Sequence, residues 1–343
     1  MKRIMFVTNS LTGGGAERSM NLVCNELTRR KWTVSLVPIN DGPPDKVIPG
    51  CEIFQLGREW QSGVMKTVFA FLAFNHAVKS WKPDVIVLNC DLPEFFGALL
   101  MGKQKFVVLE HASNPWGQRI LLGKLIRRVL QARKANWAAV SSHLSIWPNR
   151  KKPDACLYNP LMSVTNEIMQ NEILVLNRLV FIGRLSPEKR PMDAIQVARK
   201  SKKKIVIIGE GPLREELERK VHDETLSVDF LGRLDEPWAE IRVGDLLIVP
   251  SAFEGDGLVV IEALQRGLPI LVSDISDFRR FGFPEANYCK TVDGFVQKIE
   301  IFKGDLSPLI VPSEISESIF KLRSIEIVGD AWEAFLNNLT SHP

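Results

Sequence analysis

The chain has 343 residues, of which 45% are hydrophobic and 24% are charged, so it exceeds what one hydrophobic core usually supports and predicts two globular domains. Its formal net charge of +4 is too small to indicate a nucleic-acid-binding protein, although a local basic cluster could still meet an anionic lipid surface. The five cysteines have no CxxC or Cys/His spacing, so they indicate neither a zinc site nor a disulfide framework and favour reduced thiols in a cytoplasm.

In the first half, short apolar runs typical of buried parallel strands alternate with longer stretches typical of helices. The opening run is too short for a secretory leader or a membrane span. The apolar patch at 68–74 is flanked and interrupted by polar residues, so it predicts a buried helix, and we expect no transmembrane segment. The predicted strands are RIMFVTN, TVSLVPI, DVIVLN, KFVVLE and NWAAVSS, and the predicted helices lie near 16–30, 62–80, 92–101 and 117–134.

A stretch rich in proline, asparagine and charge, WPNRKKPDACLYNPLMS, lacks either periodicity and predicts a linker. A second series of strands follows it, namely RLVFIGRL, KKIVIIGEG, SVDFLGRL, DLLIVPS and LPILVSD. We therefore expect an α/β protein with two Rossmann-like, doubly wound domains at 1–158 and 159–325, and a C-terminal helix at 326–343 that could pack back on the first domain. Ligands of open α/β sheets bind beyond the carboxyl ends of the strands, so two such domains facing each other predict an interdomain cleft.

A glycine-rich turn, GGGAER, follows the first predicted strand. Gly13, Gly14 and Gly15 would let backbone N–H groups approach an anion at the start of the next helix. A turn that merely needs small residues explains the same glycines equally well. The motif does not supply the third glycine of a nicotinamide-type GxGxxG loop in register.

The second half begins with FIGRLSPEKRP, which places Arg184 just beyond a strand and Lys189 five positions later. Two cations at a strand end could clamp a diphosphate, with arginine as a fork and lysine as a point charge. A solvated charged loop is the alternative, and we favour it for Arg190. The later stretch IIGEGPLREELE repeats the pattern of strand, glycine turn and helix start, with Pro212 suited to the first helical position.

The stretch EGDGLVVIEA carries two carboxylates, Glu254 and Glu262, on either side of a branched aliphatic run. A carboxylate is costly to bury without hydrogen-bond donors, so the pair suggests hydroxyl-rich or cationic company. Gly257 and its neighbours would supply free N–H groups at a helix start, with Asp256 as the cap and Glu262 on the helix. Glu254 is expected in the loop, pointing into the cleft.

The motifs GGGAER, GRLSPEKRP, GEGPL and E-x7-E, in this order and at these separations, resemble the retaining glycosyltransferases of family 4, which have the GT-B fold. The resemblance implies that Arg184 and Lys189 hold the diphosphate of a nucleotide-sugar. It further implies that Glu262 accepts hydrogen bonds from ribose hydroxyls and that Glu254 contacts the transferred sugar. No metal or other cofactor is needed according to the same resemblance. The residues implied for catalysis are Arg184, Lys189, Glu254 and His111, and those implied for the donor are Gly14, Gly15, Gly183, Gly209, Gly232, Arg233, Leu234, Gly255, Asp256, Gly257, Leu258 and Glu262.

His111 follows the strand KFVVLE, where the family often keeps a histidine that lines the sugar site, although a structural histidine fits the position as well. The family holds the base near FLGRLDE. Two departures from the pattern stand out. The family's common aromatic between two glycines is Asp256 here, which bears on the choice of sugar. The stretch after LVSD, usually small and glycine-rich, reads ISDFRRFGFPEANYCK and belongs to a loop near the acceptor side.

The segment GQRILLGKLIRRVLQARKANW carries six cations and no acid, which predicts a basic amphipathic helix at 117–134 suited to an anionic membrane surface. An ordinary surface helix is the alternative. The six cations are Arg119, Lys124, Arg127, Arg128, Arg133 and Lys134.

The expected activity is retaining transfer of a sugar from a nucleoside-diphosphate sugar to a hydroxyl. A UDP-linked hexose or N-acetylhexosamine is the favoured donor, and a cell-surface glycan or lipid-linked molecule the favoured acceptor. The expected place is the inner face of the cytoplasmic membrane, and no nucleic-acid partner is expected. A nucleotide-sugar isomerase resembling a 2-epimerase and a non-catalytic nucleotide-sugar-binding subunit remain alternatives, because fold alone does not fix reaction.

Overall fold

The computed structural model describes residues 2–11, 14–42, 50–59, 62–111, 116–144, 147, 149–162, 174–223 and 226–341. The chain divides into two compact units, one made of residues 1–162 and 322–343 and the other of residues 163–321. The predicted domain boundaries, after residues 158 and 325, lie near these points. Each unit is built around its own parallel sheet.

The described residues of the first unit form a sheet of seven parallel strands in the order β3-β2-β1-β4-β5-β6-β7. The order from β3 to β6 is that of a doubly wound Rossmann domain. The strands are β1 Arg3–Thr8, β2 Thr33–Pro38, β3 Glu52–Ile53, β4 Val85–Asn89, β5 Lys105–Glu110, β6 Asn136–Ala139 and β7 Ala155–Cys156. The helices are α1 Gly15–Arg29, α2 Val64–Trp81, α3 Asp91–Leu99, α4 Ile120–Ala132 and, from the end of the chain, α11 Ile325–Ser341.

Both faces of this first sheet are covered, which explains why its central strands read as unbroken apolar runs. Alternate residues of β1 enter different cores. Ile4 and Phe6 pack in a core with residues of α1 and α11, whereas Met5 and Val7 pack in a core with residues of α2, α3 and α4. The five strands predicted for this half are present, and so are its four helices.

The two-residue strands β3 and β7 at the sheet edges were not predicted. Strand β7 lies inside the stretch predicted to be a linker, and its residues Ala155 and Cys156 pair with β6. The linker prediction is therefore wrong at these two residues, because sheet pairing can recruit a short segment that carries no periodic pattern of its own.

The C-terminal helix α11 belongs to the core of the first unit. Trp332 is 2% exposed and lies with its ring centroid 5.5 Å from that of Phe6. Charged side chains reinforce the same contact, since Arg30 at the end of α1 pairs with Asp330 at 2.6 Å and with Glu333 at 3.0 Å.

The described residues of the second unit form a sheet of six parallel strands in the order β10-β9-β8-β11-β12-β13, which again is the doubly wound order. The five predicted strands are present, and the short β13 was not predicted. The strands are β8 Arg178–Ile182, β9 Ile205–Ile208, β10 Val228–Gly232, β11 Asp245–Val249, β12 Ile270–Ser273 and β13 Tyr288–Cys289. The helices are α5 Pro191–Ser201, α6 Arg214–Asp223, α7 Leu258–Leu264, α8 Ser276–Arg279, α9 Val292–Phe302 and α10 Ser313–Lys321.

Candidate functional site

The turn that follows β8 carries the two predicted diphosphate cations. Strand β8 ends at Ile182, and a short 3₁₀ helix spans Pro187–Lys189 before α5 begins. Arg184 is exposed near the strand end, and Lys189 is half-buried at the end of the 3₁₀ helix. Arg190 is exposed and adopts the left-handed conformation, with φ of 49°, at the junction with α5.

Lys189 lies in direct contact with Glu254, in the loop that follows β11. The Lys189 Nζ donates to Glu254 Oε2 at 2.6 Å, and the Ser251 hydroxyl donates to Glu254 Oε1 at 2.8 Å. The two loops are also joined through their backbones, because the Ala252 N–H donates to the Glu188 carbonyl at 2.8 Å. The strand-end loops of β8 and β11, whose strands are neighbours in the sheet, thus bring a cation and a carboxylate together.

Glu254 lies in the loop between β11 and α7, as predicted, and its side chain is buried. It is 5% exposed. Burial of a carboxylate is costly unless it is paired and hydrogen-bonded, and Lys189 with Ser251 meets that requirement. The cationic and hydroxyl partners predicted for Glu254 are side chains of the protein itself, namely Lys189 and Ser251.

Asp256 was predicted to cap the helix that carries Glu262, and this prediction is also wrong. Gly257 is the N-cap of α7, with φ of 68°, and no side chain caps the helix. The Asp256 carboxylate instead pairs with Arg280, whose Nη2 lies 3.2 Å from Asp256 Oδ1. A tertiary partner 24 positions away has overridden the local preference of aspartate for a cap.

The glycines of the GRL and GEGPL turns allow two strand-end loops to touch. A Cβ atom on Gly209, whose φ is +142°, would lie 1.9 Å from the Gly183 carbonyl oxygen. The N–H groups of both residues are engaged inside the protein, that of Gly209 with the Gly232 carbonyl at 2.7 Å and that of Gly183 with the Ile208 carbonyl at 3.0 Å. A donor contact at these two positions would therefore not use their N–H groups.

Glu262 lies on α7, as predicted, and its carboxylate is oriented by a tryptophan. The Trp238 indole N–H donates to Glu262 Oε2 at 2.9 Å. The Arg266 guanidinium lies 4.5 Å from the Trp238 ring centroid and donates to the Glu262 carbonyl at 2.7 Å. Sequence reasoning missed Trp238, although it follows the FLGRLDE stretch that was singled out.

The turn after β10 carries the residues predicted to meet a base. Gly232 has φ of +69°, and a Cβ atom there would lie 3.0 Å from Glu210 Oε1. Arg233 is exposed and Leu234 is half-buried. The positive φ explains the glycine, and a contact of Arg233 and Leu234 with a base stays a prediction.

The glycine-rich turn of the first unit begins α1 at Gly15, with Gly14 as the N-cap. The Gly14 N–H donates to Glu17 Oε2 at 3.0 Å, so an acid of the first turn meets the positive end of the helix. Gly13 lies outside the described residues. The anion predicted at this turn would have to replace or join the Glu17 carboxylate.

His111 directly follows β5 and is half-buried. It lines a small cavity inside the first unit together with Ser19, Tyr158, Asn159 and Trp332. The structure therefore places His111 at a strand end, as predicted, without assigning it a role.

The predicted basic surface of α4 needs two corrections. Arg127 is 2% exposed and pairs with Glu94 at 2.6 Å and with Glu110 at 2.5 Å. Burial would lower the pKa of Arg127, but these two carboxylates outweigh burial and raise it, while burial raises the pKa of Glu94 against the opposing effect of Arg127. Arg133 donates to the carbonyls of Gly97 at 2.8 Å and Leu100 at 2.6 Å. Both arginines hold α4 in the fold and do not belong to a free basic face.

The outer face of α4 is apolar and basic. Leu121 is 78% exposed and Leu125 is 58% exposed, and the cations Lys124 and Arg128 are exposed beside them. The other exposed apolar residues of this helix are Ile120, Leu122 and Val129.

Helix α2 exposes a second apolar stripe, so the prediction that residues 68–74 form a buried helix is wrong for this face. Val68, Phe69 and Leu72 are 48%, 60% and 54% exposed, and Val64 and Met65 continue the stripe. Helices α2, α3 and α4 share one core against the same face of the sheet. Across the part of the chain that the structure describes, no helix is both long and apolar enough to span a membrane.

Comparison with known proteins identifies the class. Residues 167–282 match the model of the family Glycosyl transferases group 1. The chain is 26% identical over 279 residues, 77% of each protein, to the Campylobacter jejuni GalNAc-alpha-(1->4)-GalNAc-alpha-(1->3)-diNAcBac-PP-undecaprenol alpha-1,4-N-acetyl-D-galactosaminyltransferase. A segment of 106 residues, 29% of this chain, is 38% identical to 27% of a GDP-mannose-dependent alpha-(1-6)-phosphatidylinositol dimannoside mannosyltransferase of Mycobacterium tuberculosis.

The fold is similar to that of a solved structure, Anabaena Alr3699/HepE in complex with UDP and glucose. The TM-score is 0.78 at 15% identity, covering 98% of this chain and 100% of the other. Two doubly wound units define an α/β protein of the GT-B class, as expected. The chain is a glycosyltransferase, and residues 167–282, which contain the Lys189 and Glu254 contact, match the group 1 family model. The narrower resemblance to family 4 stays a prediction.

Proposed function

We propose that the protein is a retaining glycosyltransferase that moves a sugar from a UDP-sugar to the hydroxyl of a glycan or a lipid-linked acceptor. The observation that carries the proposal is the contact between Lys189 and Glu254, 2.6 Å apart, at the ends of two neighbouring strands. The edge of an open α/β sheet at the carboxyl ends of its strands is where such folds bind nucleotides. Glu262 lies on helix α7, which begins at Leu258, shortly after the loop residue Glu254.

In this proposal the leaving diphosphate is stabilised by cations. Negative charge grows on the diphosphate as the glycosidic bond breaks, so Lys189 and Arg184 would stabilise the transition state more than the bound donor. Lys189 is already held in place by Glu254, which reduces the reorganisation needed when the diphosphate arrives. No metal ion or other cofactor forms part of the proposal.

Glu254 is proposed to accept hydrogen bonds from hydroxyls of the transferred sugar and not to act as a nucleophile. A nucleophilic carboxylate would have to reach the anomeric carbon on the face opposite the leaving group. Glu254 is instead bound by Lys189, a residue proposed to lie on the side of the leaving diphosphate. Front-face attack assisted by the leaving phosphate fits this placement and retains the anomeric configuration.

Glu262 is proposed to accept hydrogen bonds from both ribose hydroxyls of the donor. Trp238 donates to one of its oxygens at 2.9 Å, and an ionised carboxylate can accept several hydrogen bonds at once. The backbone around Arg233 and Leu234 is proposed to meet the base.

The preference for UDP is supported by one comparison and opposed by another. The Anabaena protein was solved with UDP and glucose, whereas the mycobacterial relative is named for GDP-mannose. A lipid-linked acceptor is supported by the name of the Campylobacter relative, which acts on an undecaprenol-linked glycan.

The proposed partner of the outer face of α2 and α4 is an anionic membrane, with the enzyme peripheral on the cytoplasmic side. Exposed apolar residues flanked by Lys and Arg are the pattern of interfacial helices. Residues 62–134 hold eleven Lys or Arg and four Asp or Glu, a net charge of +7, although the whole chain has only +4. The positive charge is therefore concentrated in the segment that carries both helices.

A thermal-shift screen against nucleotides and nucleotide-sugars tests the donor. We expect the melting temperature to rise with UDP and UDP-sugars more than with GDP and its sugars. The absence of a shift with any of them would contradict donor binding, whereas a shift without any transfer of sugar would favour the non-catalytic nucleotide-sugar-binding subunit. Incubation with UDP-sugars in the absence of an acceptor tests the isomerase alternative, since an isomerised sugar nucleotide would overturn the transferase proposal.

A further inference from the structure

Asp256 and Arg280 occupy the two places where the sequence departs from the resembled family, and the structure joins them. Arg280 Nη2 lies 2.8 Å from the Asp256 carbonyl oxygen and 3.2 Å from its carboxylate. The Arg280 side chain is 17% exposed and the Asp256 side chain is 3% exposed. A buried carboxylate without its cation is strongly destabilising, so either change alone would be costly and the two belong together.

The same arginine is tied to the other end of the loop through Asp277. Arg280 Nε donates to the Asp277 carbonyl at 2.8 Å, and the Asp277 carboxylate accepts the Glu254 N–H at 2.7 Å. Asp277 is itself 5% exposed. The turn around α8 therefore holds the loop at both ends, by the N–H of Glu254 and by the carbonyl and carboxylate of Asp256.

Two aromatic rings of the α8 turn lie next to the loop and to Arg280. A Cβ atom on Gly257 would lie 3.2 Å from the Phe278 ring and 3.7 Å from the Phe281 ring. The Arg280 guanidinium lies 4.2 Å from the Phe281 ring centroid. Gly257 therefore lies close to two aromatic rings, next to the residue that Arg280 binds.

We propose that Arg280 is a positioning residue, which holds the loop 254–257 so that Glu254 stays aligned with Lys189. The inference rests on the proposed function, in which Glu254 contacts the transferred sugar. In this inference Arg280 acts through its contacts with Asp256 and Asp277 and not by binding the sugar or the diphosphate. Arg280 binds both the carbonyl and the carboxylate of Asp256, which gives this carboxylate a role in holding the loop.

A planar guanidinium group is needed because one side chain binds three acceptors, namely the Asp277 carbonyl, the Asp256 carbonyl and the Asp256 carboxylate. Nε and Nη2 serve acceptors on two different segments, Asp277 and Asp256. A lysine has a single charged nitrogen on a flexible stem and lacks this planar geometry. Arg280→Lys should therefore keep the charge that Asp256 requires while losing part of the alignment.

The test compares Arg280→Gln, Arg280→Lys and the control Arg279→Gln. Arg279 is the adjacent residue, and it pairs with Asp274 at 2.5 Å and with Glu285, neither of which belongs to the loop 254–257. Amide hydrogen exchange of a peptide covering 252–258 reports on the loop directly, and steady-state kinetics with a UDP-sugar report on its consequence. Melting temperatures show that each variant is folded.

For Arg280→Gln we expect faster exchange of the loop and a kcat lowered about tenfold to a hundredfold, with KM for the donor changed less than about threefold, because the loop aligns the reacting sugar. Arg280→Lys should lie between this variant and the wild type, and Arg279→Gln should match the wild type. Unchanged exchange in Arg280→Gln, or faster exchange with an unchanged kcat, would overturn the inference. Absence of transfer by the wild type from every donor would overturn the proposed function instead, and the exchange result would then decide alone whether Arg280 holds the loop.

Discussion

At the scale of single residues, the charges expected to bind a ligand first bind each other. Glu254 is nearly buried, and Lys189 is the cation that makes its burial tolerable. Lys189 therefore has two roles in the proposal, as the partner of a carboxylate and as a charge for the diphosphate. Removal of Lys189 alone leaves an unpaired carboxylate, so a loss of activity must be read together with a measurement of stability.

Glu262 offers a cleaner test of donor binding, because its partner Trp238 can also donate to an amide oxygen. Glu262→Gln should weaken UDP binding about tenfold, since a hydrogen bond to a charged acceptor contributes roughly 1.5–3 kcal/mol. Isothermal titration calorimetry with UDP measures the change. Glu218→Gln is the matched control, because Glu218 is 46% exposed and pairs only with Arg214 among its described ion partners.

The ribose itself can be tested with 2′-deoxy-UDP. If Glu262 accepts from the 2′-hydroxyl, the wild type should lose affinity for the deoxy ligand and the Glu262→Gln variant should lose less. Equal losses in both proteins would place the carboxylate away from the ribose.

The sequence located the residues of the candidate site but not their pairings. Arg184, Lys189 and Glu262 follow strands or lie on a helix as their motifs predicted. The bond between Asp256 and Arg280 depends on how two separate loops meet above the sheet. No local pattern encodes such a contact, and the aspartate was therefore predicted to be a helix cap.

At the scale of elements, the contact between α1 and α11 depends on charges as well as on Trp332. Glu26 is 5% exposed and accepts from Arg29 and Arg30, and Arg30 continues to Asp330 of α11. Hydrogen bonding by Arg29, with a further contribution from Arg30, lowers the pKa of Glu26 below its ordinary value of 4.5. A carboxyl with a lowered pKa stabilises the folded state above its ordinary pKa and loses that effect as the pH falls through the lowered value.

Glu26→Gln should lower the free energy of unfolding of the first unit by about 1–3 kcal/mol at pH 7 and by less at pH 3. Urea denaturation at the two pH values measures the difference. Glu300→Gln, which removes an exposed pair with Lys303, should change stability by less than about 0.5 kcal/mol. An equal effect of Glu26→Gln at both pH values would contradict the assigned pKa.

The central strands could be predicted because each is buried on both faces and reads as a short apolar run between turn signals. Strands β3, β7 and β13 have two residues each, too few to produce a pattern. Helix α2 was placed correctly but assigned the wrong environment. A helix that is apolar on most sides does not reveal from sequence which of its sides faces the core.

At the scale of the whole molecule, the uneven charge of the chain predicts how it would meet a membrane. Lys124→Glu and Arg128→Glu should each weaken binding to vesicles containing anionic lipid by at least about fivefold, since each cation near such a surface contributes about 1 kcal/mol. Phe69→Glu should weaken binding by removing an inserted apolar group of α2. Vesicle co-sedimentation at low and high salt measures these changes, and binding should fall as salt screens the charges.

The control for these variants is Ile301→Glu, which changes an apolar residue of the second unit that is 70% exposed. It should bind vesicles like the wild type. Vesicle binding that is independent of salt and equal in all four variants would rule out the proposed membrane face.

The most direct test of the proposed enzyme is transfer of a radiolabelled sugar from UDP-sugars to the lipid-linked acceptors of a membrane extract. The wild type should form labelled product, and Lys189→Ala should lower the rate at least about a hundredfold, whereas Lys200→Ala, which removes an exposed pair with Asp293, should leave it unchanged. The double variant Lys189→Ala/Glu254→Gln, which leaves no unpaired buried charge, should recover stability without recovering transfer. Product formed by folded Lys189→Ala at the wild-type rate would contradict the account.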